Sequence, residues 1–113
     1  MKTSKLSDYK GGWFIGDFFP SVLYVKDFEV AIKHYKVGES ERSHYHKLAT
    51  EVTVIVKGSA LMNGSLKNEG DVIFIEKGES TDFIPLTETI TCVIKTPSII
   101  GDKYETNLPQ RKH

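Results

Sequence analysis

Apolar residues occur along this chain in short runs rich in Val, Ile, Phe, Tyr and Thr, divided by Gly, Pro, Asn, Asp and Ser. Such runs predict β-strands. The candidate strands are Trp13–Ile15, Ser21–Val25, Phe28–Val37, Ser43–His46, Glu51–Val56, Ser59–Asn63, Asp71–Ile75, Thr81–Ile84 and Thr89–Lys95. Asn63-Gly64 supplies two adjacent positions that tolerate positive φ, the signature of a tight hairpin when strand-like runs flank it. Gly38, Gly58, Gly70 and Gly78 each open or close a run. No apolar stripe at helical spacing persists long enough to predict a helix, and residues 103–113 have room for a short helical turn at most. Many short strands at a spacing of roughly ten residues predict an all-β sandwich or closed barrel.

Alternation along a strand assigns faces, because every second side chain points the same way. His44 and His46 share one face. In the following strand Glu51, Thr53 and Ile55 share a face, opposite Val52, Val54 and Val56. The valine face is wholly apolar and is expected to be buried as well. A single small barrel has one interior, so the second apolar face predicts packing against another copy, a homodimer. The expected organisation is an N-terminal arm at 1–27, a barrel core at 28–96 and a C-terminal tail at 97–113. The aromatic segment from Trp13 to Pro20 suits either a strand added to a neighbouring sheet or a lid on the barrel mouth, with the interface role favoured.

Totals narrow the picture. At 113 residues the chain holds one domain. Lys+Arg and Asp+Glu number 15 each, so the basic excess typical of nucleic-acid binders is missing. The tail Gln110-Arg111-Lys112-His113 reads as a solvated terminus. Neither a nucleic acid nor a membrane is expected as partner, since no apolar stretch approaches the ~20 residues that span a bilayer. Cys92 is the only cysteine, which excludes an intrachain disulfide. It is expected as a buried core residue in a cytoplasmic protein.

One constellation carries chemistry. Gly38 is followed by His44, His46, Glu51 and Gly58 with five, one, four and six residues between successive members. Histidines at i and i+2 on a strand present their rings side by side. The four-residue turn is expected to return the chain antiparallel, so that Glu51 faces the pair from the neighbouring strand. Two imidazoles and a carboxylate form a ligand set that leaves coordination positions open and suits Fe, Mn, Ni or Zn.

This spacing resembles the first signature motif of the cupin superfamily. A second half-motif is partly present: Gly70, Asp71 and Gly78 fall into place, Glu76 stands where proline is usual, and Thr81 stands where the family has a fourth, histidine ligand. The resemblance covers about residues 28–96 and implies a double-stranded β-helix, a jelly-roll-like barrel. His34, on the preceding strand, is a candidate substitute ligand. Tyr35, Phe83, Tyr24 and Trp13 are candidates to line a pocket for a small ring. The segment Arg42-Ser43-His44-Tyr45-His46-Lys47 is similar to that of cupin-fold sugar-nucleotide ketoisomerases, in which histidines act as acid and base without metal.

The leading expectation is a cupin that binds a divalent metal through His44, His46 and Glu51 and acts on a small polar metabolite. If it is an enzyme, His44 and His46 are its catalytic residues and the chemistry is of the dioxygenase or isomerase type. The alternatives are a metal-free sugar-nucleotide isomerase or epimerase and a non-catalytic small-molecule binding or sensing module.

Overall fold

A computed structural model of the protein describes residues 1–106. The basic tail Gln110–His113 lies outside the described residues. Two 3-10 turns, Leu6–Asp8 and Lys10–Gly12, lead into strands β1 (Trp13–Ile15), β2 (Glu29–Tyr35), β3 (Glu41–Tyr45), β4 (Thr50–Lys57) and β5 (Ser59–Met62). These are followed by β6 (Ser65–Asn68), β7 (Val72–Ile75), β8 (Thr81–Pro85), β9 (Thr89–Thr96) and β10 (Tyr104–Glu105). They form two five-stranded sheets, in the orders β1-β2-β9-β4-β7 and β10-β3-β8-β5-β6. Every strand pairing is antiparallel. No helix among the described residues is long and apolar enough to cross a membrane.

The two sheets close on one interior. Ile55 and Ile75 from the first sheet pack with Ala60, Met62 and Phe83 from the second. Alternation on β4 works as expected: Thr53 and Ile55 are buried, and Val56 on the opposite face is exposed. The valine face is therefore not buried within the chain. Register places Val52 beside Phe74 and Ile94, and Val54 beside Val72 and Cys92, so these residues make one apolar outer patch. Cys92 belongs to this half-buried outer face and not to the core.

Asn63 at φ 52° and Gly64 at φ 78° form the tight turn between β5 and β6, and Met62 pairs with Ser65 across it. Gly58 is required for a second reason. A Cβ there would lie 2.3 Å from the Glu88 carbonyl oxygen, where the β4–β5 turn meets the β8–β9 turn. The expected strand Ser21–Val25 does not form. The segment folds back on β1 through an isolated bridge between Ile15 and Leu23, and the Ser21 hydroxyl donates to the Leu23 carbonyl at 2.7 Å. That local bond holds the chain in a turn, and Val22, Leu23 and Tyr24 remain exposed.

Candidate metal centre in the barrel

His44 lies on β3, His46 is the first residue beyond that strand, and Glu51 lies on β4. The expectation that β3 and β4 pair as neighbours is corrected here, because the two strands belong to different sheets. The turn between them carries the chain across the barrel, so the histidines and Glu51 face one another across the interior. The imidazoles stand edge to face with centroids 5.4 Å apart. One ligand-type atom from each of His44, His46 and Glu51 lies within 4.8 Å of the others. His46 is 5% exposed.

Hydrogen bonds fix which ring nitrogens face inward. His44 Nδ1 donates to the Arg42 carbonyl at 2.9 Å, and His46 Nδ1 donates to the Asp102 carbonyl. A carbonyl oxygen only accepts, so both Nδ1 atoms carry a proton, and each ring in its neutral form presents an Nε2 lone pair. His46 Nε2 stands 3.1 Å from Glu51 Oε1, while Thr53 donates to Glu51 Oε2 at 2.7 Å. Three acceptors then converge, an arrangement that a proton, a donating water or a cation between them makes favourable.

Electrostatics favour the ligand-ready forms of His44 and Glu51. Burial pushes His44 below the ordinary histidine value, outweighing its bond to the Arg42 carbonyl. Burial alone would raise Glu51, but hydrogen bonds from His46 and Thr53, with the nearby charges of His46 and Lys95, hold its carboxyl below the usual range.

Asp102 was not legible in the sequence. Its carboxylate accepts from the backbone N–H groups of Lys47 at 2.9 Å, Leu48 at 3.0 Å and Ala49 at 2.9 Å, and its carbonyl orients His46. Burial opposes its ionisation, yet those N–H donors hold its carboxyl below the ordinary value. The segment after β9 thus acts as a strap over the β3–β4 turn, with β10 paired to β3. A lone Asp after Gly101 in a loop carries no pattern that announces this role.

The other expected residues divide. Thr81 pairs with His44 across β3 and β8 and is buried against the cavity, where its hydroxyl offers no imidazole-like ligand. His34 is exposed on the outward face of β2, because the inward positions are Glu29, Ala31, Lys33 and Tyr35; it does not join the cluster. Arg42 points to solvent, 3.5 Å from Glu105. Tyr35 and Phe83 both line the cavity, their rings 4.6 Å apart. Trp13 lines it too, as do Phe18, Phe19 and Pro20, and Tyr24 does not. Tyr35 donates to Glu41 Oε2 at 2.6 Å, and Lys33 Nζ lies 3.0 Å from the same oxygen. Burial would raise Glu41, but the Lys33 charge and these two bonds lower it to about 2. Burial and then the Glu41 charge push the Tyr35 phenol up. The cavity has a volume of about 330 Å³.

No protein-family model and no curated protein matches this sequence. Solved structures do match the fold. An uncharacterised conserved protein with a double-stranded β-helix domain from Klebsiella pneumoniae superposes with a TM-score of 0.69 at 18% identity, over 96% of this chain and 99% of that one. The DMSP lyase DddQ from Ruegeria pomeroyi gives 0.67 at 17% identity, over 83% of this chain and 49% of that one. A sugar phosphate isomerase of the cupin superfamily from Silicibacter pomeroyi gives 0.62 at 17% identity, over 73% and 58%. The all-β architecture is thus the cupin-type double-stranded β-helix, with a cluster inside it that is able to hold a metal ion. The chain spans about half the length of the two enzymes.

Proposed function

We propose that this small cupin binds a divalent metal, Fe, Mn, Ni or Zn, through His44, His46 and Glu51, and acts on a small polar metabolite held in the cavity above it. The observation that carries this reading is the convergence of two Nε2 lone pairs and a carboxylate, each oriented by its own hydrogen bond. Bound there, the metal would supply Lewis-acid or redox chemistry at its open positions. The chain's own part is to hold the two rings in one tautomer and to keep Glu51 ionised. It also encloses the ligand between Tyr35, Phe83 and the aromatic segment after β1. His44 and His46 are the proposed catalytic residues. The names of two fold neighbours, a lyase and a sugar phosphate isomerase, support a small-metabolite role at the level of class. The exposed position of Arg42 leaves the metal-free isomerase reading without its arginine. The single half-buried Cys92 supports a cytoplasmic setting.

Metal analysis of protein purified without a histidine tag tests the proposal. Stoichiometric metal is expected, lost when His44 and His46 are both replaced by alanine. Metal-free protein that stays folded and takes up none of the four ions on dialysis refutes it, and proton exchange into a keto-sugar by that metal-free protein would restore the isomerase reading.

A further inference from the structure

The inner face of the first sheet carries a second polar group beside the candidate ligands. Register sets Glu29, Lys95 and Glu51 in one row across β2, β9 and β4. Two steps along the same face, Lys33 pairs with Thr91. Trp13, paired with the small Ala31 that lies between these rows, has Lys95 Nζ 5.3 Å and Lys33 Nζ 5.6 Å from its ring centroid. These side chains line the same cavity as the histidines.

Glu29 is ion-paired with Lys95 and accepts from the Ser98 hydroxyl, Glu41 accepts from Lys33 and Tyr35, and Glu51 accepts from Thr53, with His46 Nε2 3.1 Å from its other oxygen. Every inner carboxylate therefore accepts at least one hydrogen bond already. Each ammonium has three N–H groups, and each has one carboxylate within salt-bridge distance. Lys33 keeps 20% of its side chain exposed. Thr91 is 1% exposed, and its buried hydroxyl has no hydrogen-bond partner among the described residues. The Thr91 hydroxyl and the N–H groups that Lys33 and Lys95 do not direct at a carboxylate are donors facing the cavity, and they suit an acceptor-only group such as a carboxylate.

Charge points the same way. Lys33 and Lys95 face Glu29, Glu41 and Glu51, so the interior has one negative charge in excess. A divalent cation at the histidines turns this into one positive charge in excess. Among the other charged lining residues, Lys10 and Lys103 offset Asp82 and Asp102.

We propose that Lys33, Lys95 and Thr91, beside the Trp13 ring, form a carboxylate subsite. The ligand of this cavity is then a small organic acid of single negative charge, whose hydroxyl or carbonyl oxygen faces His44, His46 and Glu51. This deepens the metal reading and rests on it. A cavity of about 330 Å³ is at the small end of ligand pockets, which suits such an acid.

Trp13 is the only tryptophan, so its emission reports on the subsite directly. The full chain, loaded with Zn(II), is titrated with acetate, lactate and mandelate and with the matching neutral amides. Zinc content is measured in the same samples. At least one acid is expected to shift Trp13 emission and to bind about tenfold tighter than its amide. Lys33→Gln is expected to abolish that preference with zinc stoichiometry unchanged, and Lys33→Arg to restore most of it. Equal binding of acid and amide, or no response to any of the acids at tens of millimolar, by a protein that holds stoichiometric zinc overturns the subsite and leaves the metal reading standing. A protein that takes up no zinc overturns the metal reading and, with it, this one.

Discussion

Replacing Asp102 by alanine removes the acceptor for three consecutive backbone N–H groups, those of Lys47, Leu48 and Ala49. Lys47 and Leu48 are exposed, so water can replace the lost partner at their amides. Ala49 is 1% exposed, and its amide is left without a partner. An orphaned buried donor costs about 1–3 kcal/mol, and a hydrogen bond to a charged group is worth about 1.5–3 kcal/mol. Allowing for solvent compensation at the two exposed amides, Asp102→Ala is expected to lower stability by about 2–4 kcal/mol. That is a large part of the ~5–15 kcal/mol of a typical domain. Urea unfolding at neutral pH, with an unchanged m-value, measures it. The same loosening frees the carbonyl that orients His46, so metal affinity is expected to fall about 10–100-fold. Acid adds an independent check. A carboxyl whose folded pKa is depressed contributes stability above its unfolded pKa and loses it as pH falls through the folded value. The wild type should therefore lose stability below about pH 4 more steeply than the variant. A loss under ~0.5 kcal/mol with unchanged metal affinity would refute the role assigned to the strap.

Two further outcomes are expected. Burial lowers His44 below its ordinary value, so between the unfolded pKa of about 6.5 and the folded one the unfolded chain binds the extra proton and stability falls with falling pH. In His44→Gln that part of the slope is expected to flatten, as read from thermal unfolding of metal-free protein between neutral pH and pH 5; an unchanged slope counts against His44 as its source. The outer patch of Val52, Val54, Val72, Phe74 and Ile94 is expected to join two copies, so native mass spectrometry at micromolar concentration should show a dimer and Val54→Lys a monomer. A monomeric wild type refutes that interface.

Strands were legible where burial on one face imposed a period of two, as on β4, β8 and β9, and where turn chemistry was explicit, as at Asn63-Gly64. The short polar strand β6 was missed because Ser65–Asn68 has almost no buried side chain to set a pattern. Residues 21–25 misled for the opposite reason: their β-type composition is overridden by the turn around Ser21. Spacing found His44, His46 and Glu51, but not that Glu51 approaches from the opposite sheet, which depends on how the chain crosses the barrel. Asp102, Lys33, Lys95 and Thr91 left no local mark, since what joins them is pairing between strands distant in sequence.

The division of the three ligand residues between two sheets has a mechanical consequence. The sheet carrying His44 and the sheet carrying Glu51 share no ladder of backbone hydrogen bonds; packing and a few side chains hold them face to face. An ion seated between those residues is a cross-link, so its binding free energy becomes resistance to the sheets' separation. Loaded protein would exchange its amide hydrogens at the barrel mouth more slowly than stripped protein, and chelation would loosen the fold where the ligand enters.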